Sequence, residues 1–184
     1  MDPSLVQLIT EMVMAELGRG EVSSEGKPSP VDPAPGRRKL LLVPAPPGVV
    51  AKDPLWASLR GLSDVSWSAV KVDGVCPKRV EEALGRVHWV DPPATWDDLV
   101  HSVQAVVLPV FRLEVITRIA LLLGDVPASG AAIAAVMQGI PVFANASEVE
   151  RLRRSSGRLP GPFLSTFHQH LRGVEGLGVQ VLEG

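Results

Sequence analysis

The chain has 184 residues, with 18 Lys and Arg against 20 Asp and Glu and a net charge of -2, so no strong field is available to gather nucleic acid or an anionic membrane. Its single cysteine, Cys76, rules out an intrachain disulfide framework and points to a reducing compartment. No apolar run reaches the ~18 residues that span a bilayer, and the first residues lack the basic region and cleavage site of a signal peptide, so a cytoplasmic protein is expected.

Residues 3–17 have the spacing of a short amphipathic helix. Leu5, Leu8, Ile9, Met12 and Val13 fall on one face, with Gln7, Thr10 and Glu11 opposite. Asp2 suits the N-cap, Pro3 the first helical position and Gly18 the stop. A helix this short is marginal alone in water, so its stripe needs a surface to lie on. Residues 18–38 are dominated by Pro, Gly, Ser and charge and have little to bury, the composition of a linker. The expected organisation is a helix over 1–17, a linker over 18–38 and a folded domain over 39–184.

From Lys39 onward, short apolar runs alternate with helical patterns. Strands are expected at 39–44, 66–72, 87–90, 105–110, 141–144 and 178–182, with helices near 53–61, 77–84, 95–102, 112–123, 130–138, 147–154 and 163–175. The runs are continuously apolar, as in a parallel sheet covered on both faces. The alternation predicts a three-layer α/β/α sandwich around a doubly wound parallel sheet. Between the fourth and fifth strands lie two helical stretches broken at 123–130. Pro127 cannot continue the first, and Ser129 is placed to cap the second.

In such a sheet, ligands bind beyond the C-terminal strand ends, where helix N-termini aim unpaired N–H groups outward. Three loops qualify. In the first, Pro44 to Gly48, Pro46 and Pro47 remove two donors from any phosphate cradle, and a stiff turn is the alternative reading. In the second, Pro109 leads to Arg112 at a helix N-terminus, where its charge opposes the helix dipole. A ligand phosphate or a neighbouring subunit's carboxylate would relieve this; the alternative is a solvated surface arginine. In the third, Ser129 and Gly130 offer small side chains that let a ligand or a neighbouring backbone approach, the alternative being a capped, tightly packed helix. Elsewhere, Cys76 in a turn reads as inert. His168 and His170, two apart on a helix, make a poor metal pair. His88 beside Trp89 reads as packed, and His101 ends a helix, where positive charge is favoured. No dinucleotide, Walker, nucleophile-elbow or Cys-x-x-Cys motif appears, so the sequence by itself shows no catalytic machinery, and no metal site is expected.

Residues 105–144 resemble the second half of the flavoprotein family that includes FMN-dependent cysteine decarboxylases and flavin prenyltransferases. The likeness rests on Pro109, Arg118-Ile119-Ala120, Asp125, Ser129 and Gly139-Ile140-Pro141-Val142. The stretch from Pro162 to Leu182 is similar to small flavoproteins associated with bacterial microcompartments, and residues 3–38 resemble the helix-plus-linker tags of microcompartment cargo. The resemblance implies a flavodoxin-like (Rossmann-like) fold, an FMN site at Gly48, Pro109, Arg112, Glu114, Ser129 and Gly130, and a homo-oligomer that is a trimer or a multiple of it. It also implies a lumenal location, with Leu5, Ile9, Met12 and Val13 laid in an apolar groove of a shell protein or another cargo tag. A helix packed on its own domain or pairing between subunits is the alternative. Glu114-Val115 stands where the family has Asn-Thr, Gly130 where it has Asn, and prolines where its first loop offers Gly, Ser or Thr. Two functions follow: a redox flavoprotein passing electrons inside the shell, and a flavin-free relative acting as an assembly or scaffold component. A flavin-dependent lyase or prenyl transferase is a third, with no match for the decarboxylases' catalytic histidine.

Overall fold

The computed structural model describes residues 37–46, 54–62 and 64–182. The expected N-terminal helix with Leu5, Ile9, Met12 and Val13, nearly all of the linker, and Gly48 lie outside these residues. The chain runs β1 (Arg38–Leu42), α1 (Pro54–Arg60), β2 (Val65–Val70), α2 (Pro77–Leu84), β3 (Val87–Val90), α3 (Asp97–His101) and β4 (Ala105–Leu108). It continues through α4 (Leu113–Ala120), α5 (Pro127–Met137), β5 (Val142–Asn145), α6 (Ser147–Arg154), a 3-10 turn (Ser156–Arg158), α7 (Gly161–Gly176) and β6 (Val179–Leu182).

All six strands are parallel, in the order β3-β2-β1-β4-β5-β6. β1 sits in the middle, with Leu40 opposite Trp67 on β2 and opposite Ala105 on β4. The central strands are apolar on both faces because both faces are covered. Leu40 and Leu42 share one cluster with Leu55, Trp56 and Leu59 of α1 and with Val80 and Leu84 of α2. Leu41 and Val43 point the other way, into a cluster with Val100 of α3, Ile116 and Ile119 of α4, the alanines of α5, and Phe167 and Leu171 of α7. Period-2 alternation of a continuous apolar strand thus supplies two cores, one per layer. Arg60, at the end of α1, reinforces the first layer by donating to the backbone carbonyls of Glu82 and Ala83 at the end of α2.

His88 corrects the expectation of a packed histidine, for it is exposed. β3 is an edge strand whose Val87 and Trp89 turn toward the α1–α2 layer. His88 faces the other side, and the Trp89 indole donates to Glu81 of α2 at 2.8 Å.

The crossover break is present, but its chemistry differs from the expected cap. α5 begins three residues earlier than the apolar pattern suggests, with Pro127 inside its first turn and Val126 at the N-cap. Proline suits this position because its missing N–H is one the helix start cannot pair anyway. Ser129 is therefore already inside the helix, and its hydroxyl donates back to the Val126 carbonyl at 3.2 Å. Among the described residues, no helix is long and apolar enough to cross a membrane, and no His, Cys, Asp and Glu cluster could hold a metal ion.

Candidate active crevice at the switch point

The strand order fixes where a crevice opens. From β1 the chain moves outward through β2 to β3, then returns to β4 on the other side of β1. The connections leaving β1 and β4 consequently diverge to opposite faces, and a gap is left between their loops. One wall is Pro44, Ala45 and Pro46. The other is Pro109 to Arg112, leading into α4.

Hydrogen bonds tie these loops together. Val43 N–H donates to the Val107 carbonyl at 2.9 Å, carrying the β1–β4 pairing past the end of the strand. Arg112 occupies the N-cap of α4 with extended backbone, and no side chain caps the helix there. Its guanidinium reaches across the gap and donates to the Pro46 carbonyl at 3.1 Å. One such bond leaves most of the guanidinium's five donors unused. Beside it, the first N–H groups of α4 have no intrahelical acceptor. An exposed cation and a helix N-terminus therefore share one edge of the crevice.

Glu114 lies in the first turn of α4, where negative charge complements the dipole. Its carboxylate is paired with Arg118 at 2.8 Å, and Arg118 also holds Asp125 at 3.0 Å. The Glu114 charge is thus countered within its own helix.

Asn145 is a site residue beyond the expected fifth strand, whose apolar run ends at Ala144. Asn145 is buried; its amide donates to the Pro109 carbonyl at 3.1 Å, and its side-chain oxygen accepts the Ser147 N–H at 3.1 Å. A single side chain thus holds the turn after β4 and satisfies the start of α6. The available signal is an amide ending an apolar run just before a helix. Gly74, in the turn after β2, has φ +80, and a Cβ there would stand 3.4 Å from Cγ of Pro46. That turn therefore abuts the first loop closely.

Ser129 and Gly130 are not brought to this gap as open surface. Both are buried at the start of α5. A Cβ on Gly130 would lie 2.3 Å from Nε1 and 2.7 Å from Cδ1 of Trp96. The close approach that the small residues permit is taken by the chain's own indole. Tested as an FMN site, the structure divides: Arg112 and the start of α4 fit a phosphate group, and the start of α5 does not admit one.

A doubly wound parallel sheet whose switch-point crevice is edged by Arg112 defines the class of open α/β folds in which ligands sit beyond the strand ends. No described protein family matches the sequence, and no curated protein matches it. Among solved structures, the fold is similar to a dodecameric FMN-dependent UbiX-like decarboxylase from Escherichia coli O157:H7. The TM-score is 0.53 at 13% identity, over 79% of this chain and 78% of that one. It is also similar to AnUbiX (PadA1) in complex with FMN and dimethylallyl pyrophosphate, with a TM-score of 0.50 at 11% identity, over 79% of this chain and 77% of that one. The likeness establishes the shared fold.

Proposed function

We propose that this chain is a homo-oligomeric flavoprotein of the FMN-binding type with a redox role. The observation that carries the reading is the crevice between β1 and β4, edged by Arg112 and the start of α4, on a fold shared with two FMN proteins. In this reading Arg112 and the N–H groups of α4 hold the phosphate, Pro109 and Asn145 fix the loop that carries them, and Gly48 is a further contact. Glu114 keeps Arg118 in place beside them. Ser129 and Gly130 serve the site indirectly, by seating α5 against Trp96. FMN, when bound, supplies one- and two-electron chemistry, for which the protein contributes position and electrostatics.

The same reading makes residues 1–38 a cargo tag, with Leu5, Ile9, Met12 and Val13 inserted in an apolar groove of a microcompartment shell protein or another tag. Its support is the resemblance and the 21-residue linker over 18–38, an odd route to a local packing partner. Fused to a fluorescent reporter in cells assembling shells, residues 1–38 should give puncta that Leu5→Glu with Ile9→Glu disperses, because charges resist burial in an apolar groove. Diffuse fluorescence from the parent segment refutes the tag.

A second reading is favoured by the indole over Gly130 and by the prolines of the first loop, namely a flavin-free relative with an assembly or scaffold role. The visible spectrum of the purified full-length protein separates the two. Absorbance near ~450 nm, or its appearance on adding FMN, is the result expected of the flavoprotein. A colourless oligomer that ignores FMN is the result that replaces it with the scaffold.

A further inference from the structure

A second candidate site lies away from the crevice, between α6 and α7. An open cleft of about 320 Å³ is lined by Arg153, Ser165, His168, Leu171, Arg172 and Glu175. None of these residues belongs to the β1–β4 gap. Ser165, His168, Arg172 and Glu175 are spaced three or four apart, so they form one stripe along α7. Arg153 comes from the last turn of α6.

The cleft lining carries two arginines and a histidine against one carboxylate, Glu175. Between Glu150 and Glu175, which bound the stretch with acid at both ends, the chain carries five arginines (151, 153, 154, 158 and 172) and two histidines, although the whole chain has a net charge of -2. Arg151 and Arg154 are taken up by Glu148 at 2.5 Å and Glu150 at 3.0 Å, and Arg153 is partnered as well. Arg172 is exposed on α7 and has no carboxylate or carbonyl partner among the described residues. The Arg172 guanidinium shares this lining with an imidazole, a hydroxyl and a second arginine, donor types that recognise a phosphate oxygen cluster. Leu171 gives the cleft an apolar floor. Glu175 adds an acceptor to the lining, which disfavours a ligand that is anionic throughout.

We propose that this cleft binds a small phosphate monoester whose other end carries an amine or hydroxyl. Arg172 and His168 engage the phosphate, Ser165 donates to it, Arg153 adds positive charge to the rim, and Glu175 accepts from the donor group. The volume is that of a small-molecule site; a polyanion would need a longer basic track than one cleft between two helices.

The test is titration of full-length protein with O-phosphoethanolamine, followed by calorimetry and by the ring signals of His168. The expected result is saturable binding that moves the His168 signals. Arg172→Gln should weaken it at least tenfold, as loss of a charge-assisted contact does, with Arg172→Lys recovering part of the loss. Glu175→Gln should erase the preference for phosphoethanolamine over inorganic phosphate. Arg172 is exposed, so circular dichroism of the variant should match the parent. The proposal is overturned by a response that does not saturate, by one that Arg172→Gln leaves unchanged, or by ethanolamine alone binding as well as its phosphate. None of these results bears on FMN, whose proposed phosphate contacts lie at Arg112.

Discussion

The connection from β4 to β5 contains two helix N-termini, one at Arg112 and one at Val126, which the sequence presents as similar anion sites and the fold treats differently. The first is exposed, polar and linked across the crevice to Pro46. The second opens an eleven-residue helix that is buried through most of its first two turns, and Trp96 lies against it at Gly130. Small residues allow something to approach the backbone closely, and nothing in their own chemistry says whether that is a ligand or a neighbouring side chain. Charge is the better discriminator. A helix start with an arginine has to face water or an anion, whereas an apolar one can be closed over by the core.

The sharpest way to break this comparison is at the closed end. Gly130→Ala forces a methyl into the Trp96 ring position, and overpacking of this kind should cost about 3 kcal/mol, read by urea denaturation. In a Trp96→Ala background the same substitution should cost much less, since the ring it meets is gone, and equal costs in both backgrounds would show that the contact is not what excludes the side chain. At the open end, Asn145→Ala leaves the Pro109 carbonyl and the Ser147 N–H without their side-chain partner. The expected loss is about 2 kcal/mol in the same assay, and a change within about 0.5 kcal/mol would remove Asn145 from the loop's support.

The smallest effect lies between the two helices. Leu122 has φ +55 and is 61% exposed, so an L side chain is held in a left-handed conformation with little packing to compensate. Leu122→Gly should stabilise the chain by about 0.5 kcal/mol, the relief of strain exceeding the added backbone entropy of glycine. A lower melting temperature for the variant would mean that the exposed leucines at 121–123 contribute contacts in the solution assembly.

The sheet was legible because continuous apolar runs and helical spacing repeat along the folded domain. The strand at 87–90 and the helices at 77–84 and 147–154 have the expected bounds. The helix at 127–137 starts earlier than its apolar pattern because Pro127 belongs to its first turn. The site was legible only in part. Arg112 and Pro109 could be placed because a loop after an apolar strand carries its own position in the sheet. Asn145 joins Pro109 across 36 residues, and Trp96 meets Gly130 across 34 positions of sequence. Contacts at such separation depend on tertiary packing and leave no periodic trace. His88 was misplaced for a related reason, since a strand's position at the sheet edge is a property of strand order.

The central claim, that Arg112 and the start of α4 receive a flavin's phosphate, is tested most directly by comparing FMN with riboflavin on the full-length protein through quenching of flavin fluorescence. FMN should bind at least tenfold more tightly than riboflavin, and Arg112→Gln should remove most of that advantage. Equal binding of the two flavins, or an FMN preference that survives Arg112→Gln, would contradict the account.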